Sequence, residues 1–536
     1  MLDLSFSEMA ARSDRAPAPW RRPLIRWLDS TETGWTIPTL LAAFVTVWTV
    51  YLMVAYLGTD LHPDVLETWT LGRTFEWGNP KHPPLMGWMA RIWTEVFPLT
   101  NWSMQLMAMV NAAAGLWVVD LIARRFVTGD KRIFILLLLM LTPAYQFHAQ
   151  RFNANAVLLS LWPLATYCFL RSVQTRAPFW AAAAGITAAL AMLGKYYSVF
   201  LLAAFVFATL LHRSGRSYLT SSTPWVSAAA GLLTLGPHLL WLAETGAPTF
   251  DYAISHALAD RLTSLHDALN FILGLMAAMS VAALTWVLTA GRRLQRARDD
   301  FAKLDEGLML LLLIAAGTIL FPVLTCLIVG TDLPSLWALQ GLFLFVVPVV
   351  ASTSFAIERF YTVNELVLVA MIASLAVTVG APIHAIYRNK HGYEEGRNFY
   401  SQAAIELTRQ WREITNTPLS AVSGDDNLAF AAAFYSPDHP HYSRPFAYQY
   451  SWRLPRKTAL DHGWAALCFA DQVDCLAWMQ STSARAENAI QRRFEVHASL
   501  LGVPGVSRAV VSLLVPPNVP QPYEDLSSID RIEAML

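Results

Sequence analysis

Charged side chains are scarce in this sequence. Asp, Glu, Lys and Arg make up 15% of its 536 residues, and 55% of the residues are hydrophobic. Soluble globular domains carry about 25% charged residues, so an ordinary soluble protein is excluded. The formal net charge is zero, which gives no indication of a nucleic-acid partner. The composition therefore predicts an α-helical polytopic membrane protein.

Cysteine is scarce as well. Four cysteines can form neither a disulfide scaffold nor a metal cluster. Cys168 and Cys326 fall in apolar runs and are expected in the core, whereas Cys468 and Cys475 could pair if they lie in an oxidising compartment. The chain also has no convincing metal-ligand spacing, no internal repeat and no low-complexity segment. We therefore expect no metal and no cofactor.

Long hydrophobic runs are what the sequence has in excess. A helix needs roughly 17–25 apolar residues to cross the hydrocarbon layer, and about eleven runs approach that length. The candidate spans are 36–57, 104–123, 132–149, 155–171, 179–194, 197–211, 225–243, 269–290, 307–329, 334–353 and 364–386.

The placement of the basic residues predicts the orientation. Arginines crowd residues 1–35, which lack the apolar core of a signal peptide and are expected to form a cytoplasmic arm. Later basic clusters, such as 291–298, fall on the same side of the membrane. The opposite side, expected to be periplasmic, receives the long loop 58–103, shorter turns and everything after residue 386.

The chain divides into a transmembrane domain at 36–386 and a polar segment at 387–536, which predicts a small soluble α/β domain. Within that segment the strands are expected at 418–424, 462–470 and 507–515. The helices are expected at 425–435, capped by Asp425 or Asp426, and at 471–480 and 485–494.

The loop 58–103 contains several candidate catalytic and binding residues. Asp64 and Glu67 are three residues apart and would share one face of a helix over 63–76. Trp69 and Trp77 would anchor that helix near the lipid headgroups. Lys81 and His82 precede Pro83, a residue that suits the first turn of the next helix, and a helix N-terminus favours an anion. The loop thus offers a potential base and a potential phosphate site.

This loop resembles the first external loop of the membrane-embedded GT-C type glycosyltransferases that use polyprenyl-phosphate sugars, the family 39-like group related to protein mannosyltransferases and aminoarabinose transferases. Members typically read Asp-Glu-Ala-Tyr-Tyr-Trp, then a Gly, then Asp-His-Pro-Pro-Leu. Asp64, Trp69, Gly78 and the HPPL of residues 82–85 fall in that register without a gap. The resemblance continues through 152–172 and 180–202 and spans roughly residues 55–250.

The sequence departs from the family pattern at three positions. Val65 replaces the second acid of the usual pair, Lys81 replaces the acid before HPPL, and Asn155 stands where many relatives carry an aspartate. Each replacement makes the site less acidic. A more cationic site would suit a more acidic donor or acceptor.

The resemblance implies transfer of a sugar from a polyprenyl phosphate to an acceptor hydroxyl, with Asp64 as the general base. Cations would bind the donor phosphate: Lys195, which matches a lysine of the relatives, and His82, Lys81 and Arg151. The acceptor or sugar would contact Glu67, Asn153, Asn155, Asp251 and His256. The expected partners are the lipid-linked donor, membrane lipids and an envelope glycolipid acceptor such as lipid A or lipopolysaccharide core.

Other interpretations stay open at this stage. Asn153 or Asn155 could cap a helix, Lys195 could reach towards the headgroups, and the loop 244–261 could be an ordinary interfacial segment. The acceptor could be a protein or a glycan. A lipid-linked-sugar transporter is a rival function, although the centres of the spans are nearly free of the charges that transport requires. The resemblance places the protein in a bacterial inner membrane.

Overall fold

The computed structural model describes residues 21–79, 81–247, 261–445, 462–485 and 488–517. A bundle of apolar helices occupies the chain up to His391, and a small domain with one sheet follows. The helices of the bundle are Arg21–Asp29, Thr36–Ala55, Pro63–Gly72, Leu85–Val96, Asn101–Ala123, Asp130–Met140, Pro143–Gln146, Leu158–Thr175, Pro178–Gly194, Val199–Leu211, Gly215–Leu219, Thr223–Thr245, Arg261–Ala290, Leu294–Phe301, Glu306–Val329, Phe343–Ala351, Arg359–Leu375 and Ala381–His391.

Each of the eleven predicted runs contains a helix, but the number of spans is not confirmed. Within the described ranges, six helices are long and apolar enough to cross a membrane, or seven if a bent pair forms one span. The runs at 179–194 and 197–211 form shorter helices, and the run at 334–353 breaks into a 3₁₀ segment and a nine-residue helix. The chain is a multi-pass membrane protein with several short helices.

The bent pair of helices leads into a polar turn at one end of the bundle. The helix Asp130–Met140 is followed at 70° by residues Pro143–Gln150. Pro143 lacks a backbone N–H and starts a new helix instead of continuing the old one. The segment after this bend leads into residues 151–157, which precede the next long helix.

The C-terminal domain is α/β, as predicted. Its helices are Tyr400–Ile414, Asp426–Tyr435 and Val473–Arg485. Its strands are β1 (Ala421–Gly424), β2 (His441–Pro445), β3 (Trp464–Phe469), β4 (Ile490–Leu500) and β5 (Val503–Val515), in the order β2-β1-β3-β5-β4. β1 pairs in parallel with β2 and β3, and the other pairs are antiparallel. Asp425 caps its helix by accepting the Leu428 N–H.

The helix predicted at 485–494 is wrong, because residues 490–500 form β4. Burial alternates along this strand, with Phe494, Val496 and Ala498 on the more buried face. An alternation of period two is the signature of a strand. The helical interpretation gave too much weight to the helix-forming residues Arg485–Gln491 that precede and begin the strand.

The structure answers the question of cysteine pairing that the sequence left open, and it confirms the expected burial of the other two cysteines. Cys468 at the end of β3 is bonded to Cys475 in the helix Val473–Arg485, with 5.8 Å between their Cα atoms. Cys168 and Cys326 are free and buried.

The C-terminal domain packs directly on the loop 58–103. The Tyr435 hydroxyl accepts the Leu61 N–H at 2.9 Å and donates to the Asn101 side chain at 2.8 Å. Asp60 accepts the Ser401 N–H at 2.8 Å. The Trp69 ring meets Phe434 edge to face and is only 3% exposed. Trp69 is therefore not the lipid anchor that the sequence suggested, because the C-terminal domain covers it; Trp77 remains half exposed.

We expect Tyr435→Phe to destabilise this interface. The change leaves the Leu61 N–H without its acceptor, at a cost of about 1–3 kcal/mol for a buried unpaired group. Thermal unfolding of the detergent-solubilised protein should show a lower melting temperature than the wild type. Tyr387→Phe is the matched control, since Tyr387 is half exposed and its hydroxyl makes no hydrogen bond to a described residue. Equal melting temperatures for the two variants would contradict the assignment.

Candidate active site

The site is built on the helix Pro63–Gly72, called here the site helix. Pro63 occupies its first turn, where no N–H is required. His62 caps it by accepting the Asp64 N–H on Nδ1 at 3.2 Å. Burial lowers the pKa of His62 to about 4, and Arg151 and Arg397 lower it against the opposing effect of Asp64. His62 is therefore neutral, and its 3.6 Å approach to the Asp64 carboxylate is not an ion pair.

Asp64 and Glu67 face the same cavity, as their spacing predicts. The cavity has a volume of about 510 Å³. Glu67 is buried and accepts the Lys81 ammonium on both carboxylate oxygens, at 2.9 and 3.1 Å. Burial raises the pKa of Glu67, whereas Lys81 opposes that shift. Asp64 is different, because 43% of its side chain is exposed and no lysine or arginine of the described residues forms an ion pair with it. The two acids therefore lie on the same face of the site helix but differ in burial and in their hydrogen-bond partners.

The polar turn after the bent pair of helices forms a hydrogen bond with the Asp64 carboxylate. Asn153 donates from Nδ2 to Asp64 Oδ2 at 3.0 Å. Its Oδ1 accepts the N–H groups of Asn155 and Ala156. Asn153 thus closes the turn 153–156 and does not cap the following helix, whose N-cap residue Val157 has no side-chain cap hydrogen bond. Its amide nitrogen orients Asp64.

The same turn holds a cation. Asn155 Oδ1 accepts a hydrogen bond from Lys195 Nζ at 2.5 Å, and the ammonium lies 4.0 Å from the centre of the Trp337 ring. Lys195 follows directly after the helix Pro178–Gly194 and lines the cavity. Burial lowers its pKa to about 7, and the charge of Asp64 partly opposes this. Lys195 therefore titrates near neutral pH.

Asn79 and His238 fix the backbone beside the cavity. Asn79 Oδ1 accepts the N–H groups of Lys81 and His82. His238 contacts the Trp77 carbonyl through Nδ1, so Nδ1 carries the proton and Nε2 accepts the Tyr196 hydroxyl at 2.6 Å. Burial holds the pKa of His82 well below its usual value, so His82 offers the cavity a neutral ring.

One described residue expected at the site does not line this cavity. Arg151 is exposed and lines a small neighbouring cavity with Asp60, His62 and Arg397. Its charge contributes to lowering the pKa of His62, the cap of the site helix. Asp251 and His256 lie outside the described residues.

Sequence reasoning missed several residues of the site. Asp332 lines the cavity from the turn 330–334, which was expected on the outer side, and Trp337 lines it from the run 334–353, which was predicted as a span; neither residue was given a role. Asp426 of the C-terminal domain lies close enough to Glu67 and Lys81 to interact with both electrostatically, and burial raises its pKa to about 6. The aspartate of the GTDLP stretch could have been found as an acid in an outer turn, but the position of Asp426 depends on domain packing.

Comparisons with known proteins agree with this architecture. Residues 81–241 match a family model described as dolichyl-phosphate-mannose-protein mannosyltransferase. The structure of ArnT from Cupriavidus metallidurans bound to undecaprenyl phosphate is similar to this chain with a TM-score of 0.56 and 15% identity, and covers 90% of this chain and 98% of that one. The apo form of the same protein gives 0.54 and 16% over the same shares. A search of curated protein sequences gave no match.

The expected resemblance is thereby confirmed. The structural likeness establishes a GT-C type fold, and together with the family match it indicates a glycosyltransferase. The family match begins at Lys81, so the site helix lies outside it. The roles of the individual side chains therefore depend on their geometry in this chain.

We expect Lys81→Met to destabilise the protein strongly. The change leaves Glu67 buried without a cation, and breaking a buried pair by removing one partner costs about 3–5 kcal/mol. The double variant Glu67→Gln/Lys81→Met removes both charges and should recover much of the loss. Melting temperatures of wild type, both single variants and the double variant measure the coupling. Additive losses would mean that the two side chains do not interact.

Proposed function

We propose that this protein transfers a sugar from a polyprenyl-phosphate donor to a hydroxyl of an envelope acceptor on the periplasmic face of a bacterial inner membrane. One observation carries the proposal: Asp64 and Lys195 face one cavity and are held by Asn153 and Asn155 of a single turn. A base and a cation at fixed positions around one space are what this reaction requires.

Asp64 acts as the general base. The acceptor oxygen attacks the anomeric carbon, its proton passes to the Asp64 carboxylate, and the bond between that carbon and the phosphate oxygen breaks. The lipid phosphate leaves with the bonding electrons. The half-exposed carboxylate of Asp64 can receive a hydroxyl from the cavity, whereas Glu67 is buried and bound to Lys81.

Lys195 stabilises the leaving phosphate. Negative charge on the phosphate grows as the glycosidic bond breaks, so a fixed cation binds the transition state more strongly than the ground state. Lys81 is close to the same cavity, but its charge is compensated by Glu67. His82 supplies a neutral ring and Trp337 an apolar face, which suit the sugar or the first lipid unit.

The charge balance of the cavity defines the donor further. Asp64, Glu67 and Asp332 contribute three carboxylates, against the two ammonium groups of Lys81 and Lys195. This surplus of acid disfavours a sugar that carries its own carboxylate. It favours a neutral or amino sugar, with the phosphodiester as the main negative charge of the donor. The acceptor favoured by the sequence resemblance is lipid A or lipopolysaccharide core, with a protein or a glycan as the alternative.

We expect Asp64→Asn to remove transfer while leaving the fold intact. The amide keeps an oxygen for the Asn153 hydrogen bond but cannot accept a proton, and a general base contributes on the order of 10²–10⁴-fold in rate. Purified protein would be incubated with polyprenyl-phosphate sugars and envelope lipids, and the products followed by mass spectrometry. Glu76→Gln, an exposed acid of the same loop, is the control. Wild-type rates for Asp64→Asn would remove Asp64 as the base.

Absence of any product with folded wild-type protein would point to another acceptor class, tested next with peptide and glycan acceptors. Movement of intact lipid-linked sugar across proteoliposome membranes, without transfer, would instead favour the transporter.

The pH dependence of donor use tests Lys195. Its ammonium is charged below pH 7 and is lost as the pH rises through its pKa of about 7, so kcat/KM for the donor should fall above that pH. In Lys195→Arg the guanidinium stays charged, and the fall should disappear from the range pH 6–9 even if the absolute rate is lower. The same alkaline fall in both proteins would assign it to another group.

A further inference from the structure

A second polar cavity lies at the other end of the bundle. The helix Asn101–Ala123 begins at the site end, where Asn101 contacts Tyr435, and ends at this cavity. The cavity has a volume of about 490 Å³, and its walls include Ile37, Trp117, Arg124, Arg125, Arg132 and Tyr167. Nothing in the proposed transfer reaction uses it.

The acids of this cavity are already occupied. Arg132 is buried and forms two hydrogen bonds with Asp120, at 2.9 and 2.7 Å. It also donates to Glu32 at 3.0 Å, and the other Glu32 oxygen accepts the Gly129 N–H. One arginine therefore compensates both acids in part, and neither acid pairs with a second arginine among the residues that the structure describes.

Arg124 and Arg125 supply the uncompensated charge. Both are exposed, and within the described ranges neither forms an ion pair. The hydrogen bond that Arg125 Nε donates goes to Gln174, a neutral side chain, at 3.0 Å. Burial lowers the pKa of Arg125, and the nearby charges of Arg171 and Arg124 lower it further, which reflects a local excess of positive charge.

Two aromatic side chains form part of the remaining wall of this cavity. Trp117 is 44% exposed near the end of a span, and Tyr167 stands on the neighbouring helix Leu158–Thr175. Aromatic residues of this type concentrate at the level of the headgroups. The guanidinium fork matches the oxygens of a phosphate, and basic pockets between membrane helices bind anionic headgroups.

We propose that this cavity binds the phosphodiester headgroup of an anionic phospholipid, with Arg124 and Arg125 as its donors and Trp117 and Ile37 against the start of the acyl chains. The apolar part of the wall favours a lipid over a soluble phosphate. The proposal is independent of the transfer reaction, because the two cavities share no lining residue.

Lipid titration of the delipidated, detergent-solubilised full chain tests the proposal. Native mass spectrometry would count bound phosphatidylglycerol, with phosphatidylcholine as the zwitterionic comparison. We expect one tightly held phosphatidylglycerol per chain in the wild type, and at least tenfold weaker binding in Arg124→Gln/Arg125→Gln. The control Arg292→Gln/Arg296→Gln removes two exposed arginines from the same end of the bundle and should bind like the wild type.

Equal retention of both lipids by the wild type, or wild-type binding by Arg124→Gln/Arg125→Gln, would overturn the proposal. Inorganic phosphate that displaces phosphatidylglycerol at micromolar concentration would overturn it in favour of a soluble anion. A melting temperature measured without lipid verifies that the variant is folded. Should it not fold, Arg124→Lys/Arg125→Lys keeps the charge but loses the fork. That variant should bind phosphatidylglycerol more weakly than the control Arg292→Gln/Arg296→Gln does, and binding equal to that of the control would overturn the proposal.

Discussion

The candidate site depends on keeping two opposite charges apart. Asp64 and Lys195 face the same cavity, and two such groups left free would attract each other into a salt bridge. Within the described residues no ion pair joins them, because Asn153 binds the carboxylate and Asn155 binds the ammonium. Two amides on one turn therefore hold a carboxylate and an ammonium group apart. Groups fixed in this way need no reorganisation when charge develops in a reaction.

Because Asp64 lies on the site helix, the hydrogen bond from Asn153 requires that helix to be held in a fixed position. The site helix approaches the helix Leu85–Val96 so closely that a Cβ on Gly72 would fall 1.9 Å from the Gly87 carbonyl oxygen. On its other side the C-terminal domain contributes Phe434 and Tyr435, and Asp426 lies beside the pair formed by Glu67 and Lys81. The C-terminal domain thus packs against the site helix from outside the cavity, whose lining residues all precede the domain.

The features that could be predicted from the sequence are those that depend on residues close together in the chain. The shared face of Asp64 and Glu67, the cap at Asp425 and the apolar runs all arise from neighbours in sequence, and they were predicted. The covering of Trp69 by Phe434 and the pairing of Asp64 with Asn153 join residues far apart in the chain, and no local pattern carries them. The error at β4 was of another kind, since its period-two alternation was present but was outweighed by the helix formers before it.

Lys81 illustrates why a substitution read from sequence can mislead about charge. A lysine in place of the family acid was expected to make the site more cationic and to suit a more acidic substrate. In the structure the ammonium binds Glu67, and burial together with the neighbouring Asp426 makes that compensation necessary. The replacement therefore neutralises an acid already present, and of the two lysines that the structure describes in the cavity lining, Lys195 is the one that forms no ion pair with a described carboxylate. The charge of a site is set by which groups pair, and pairing is a property of the fold.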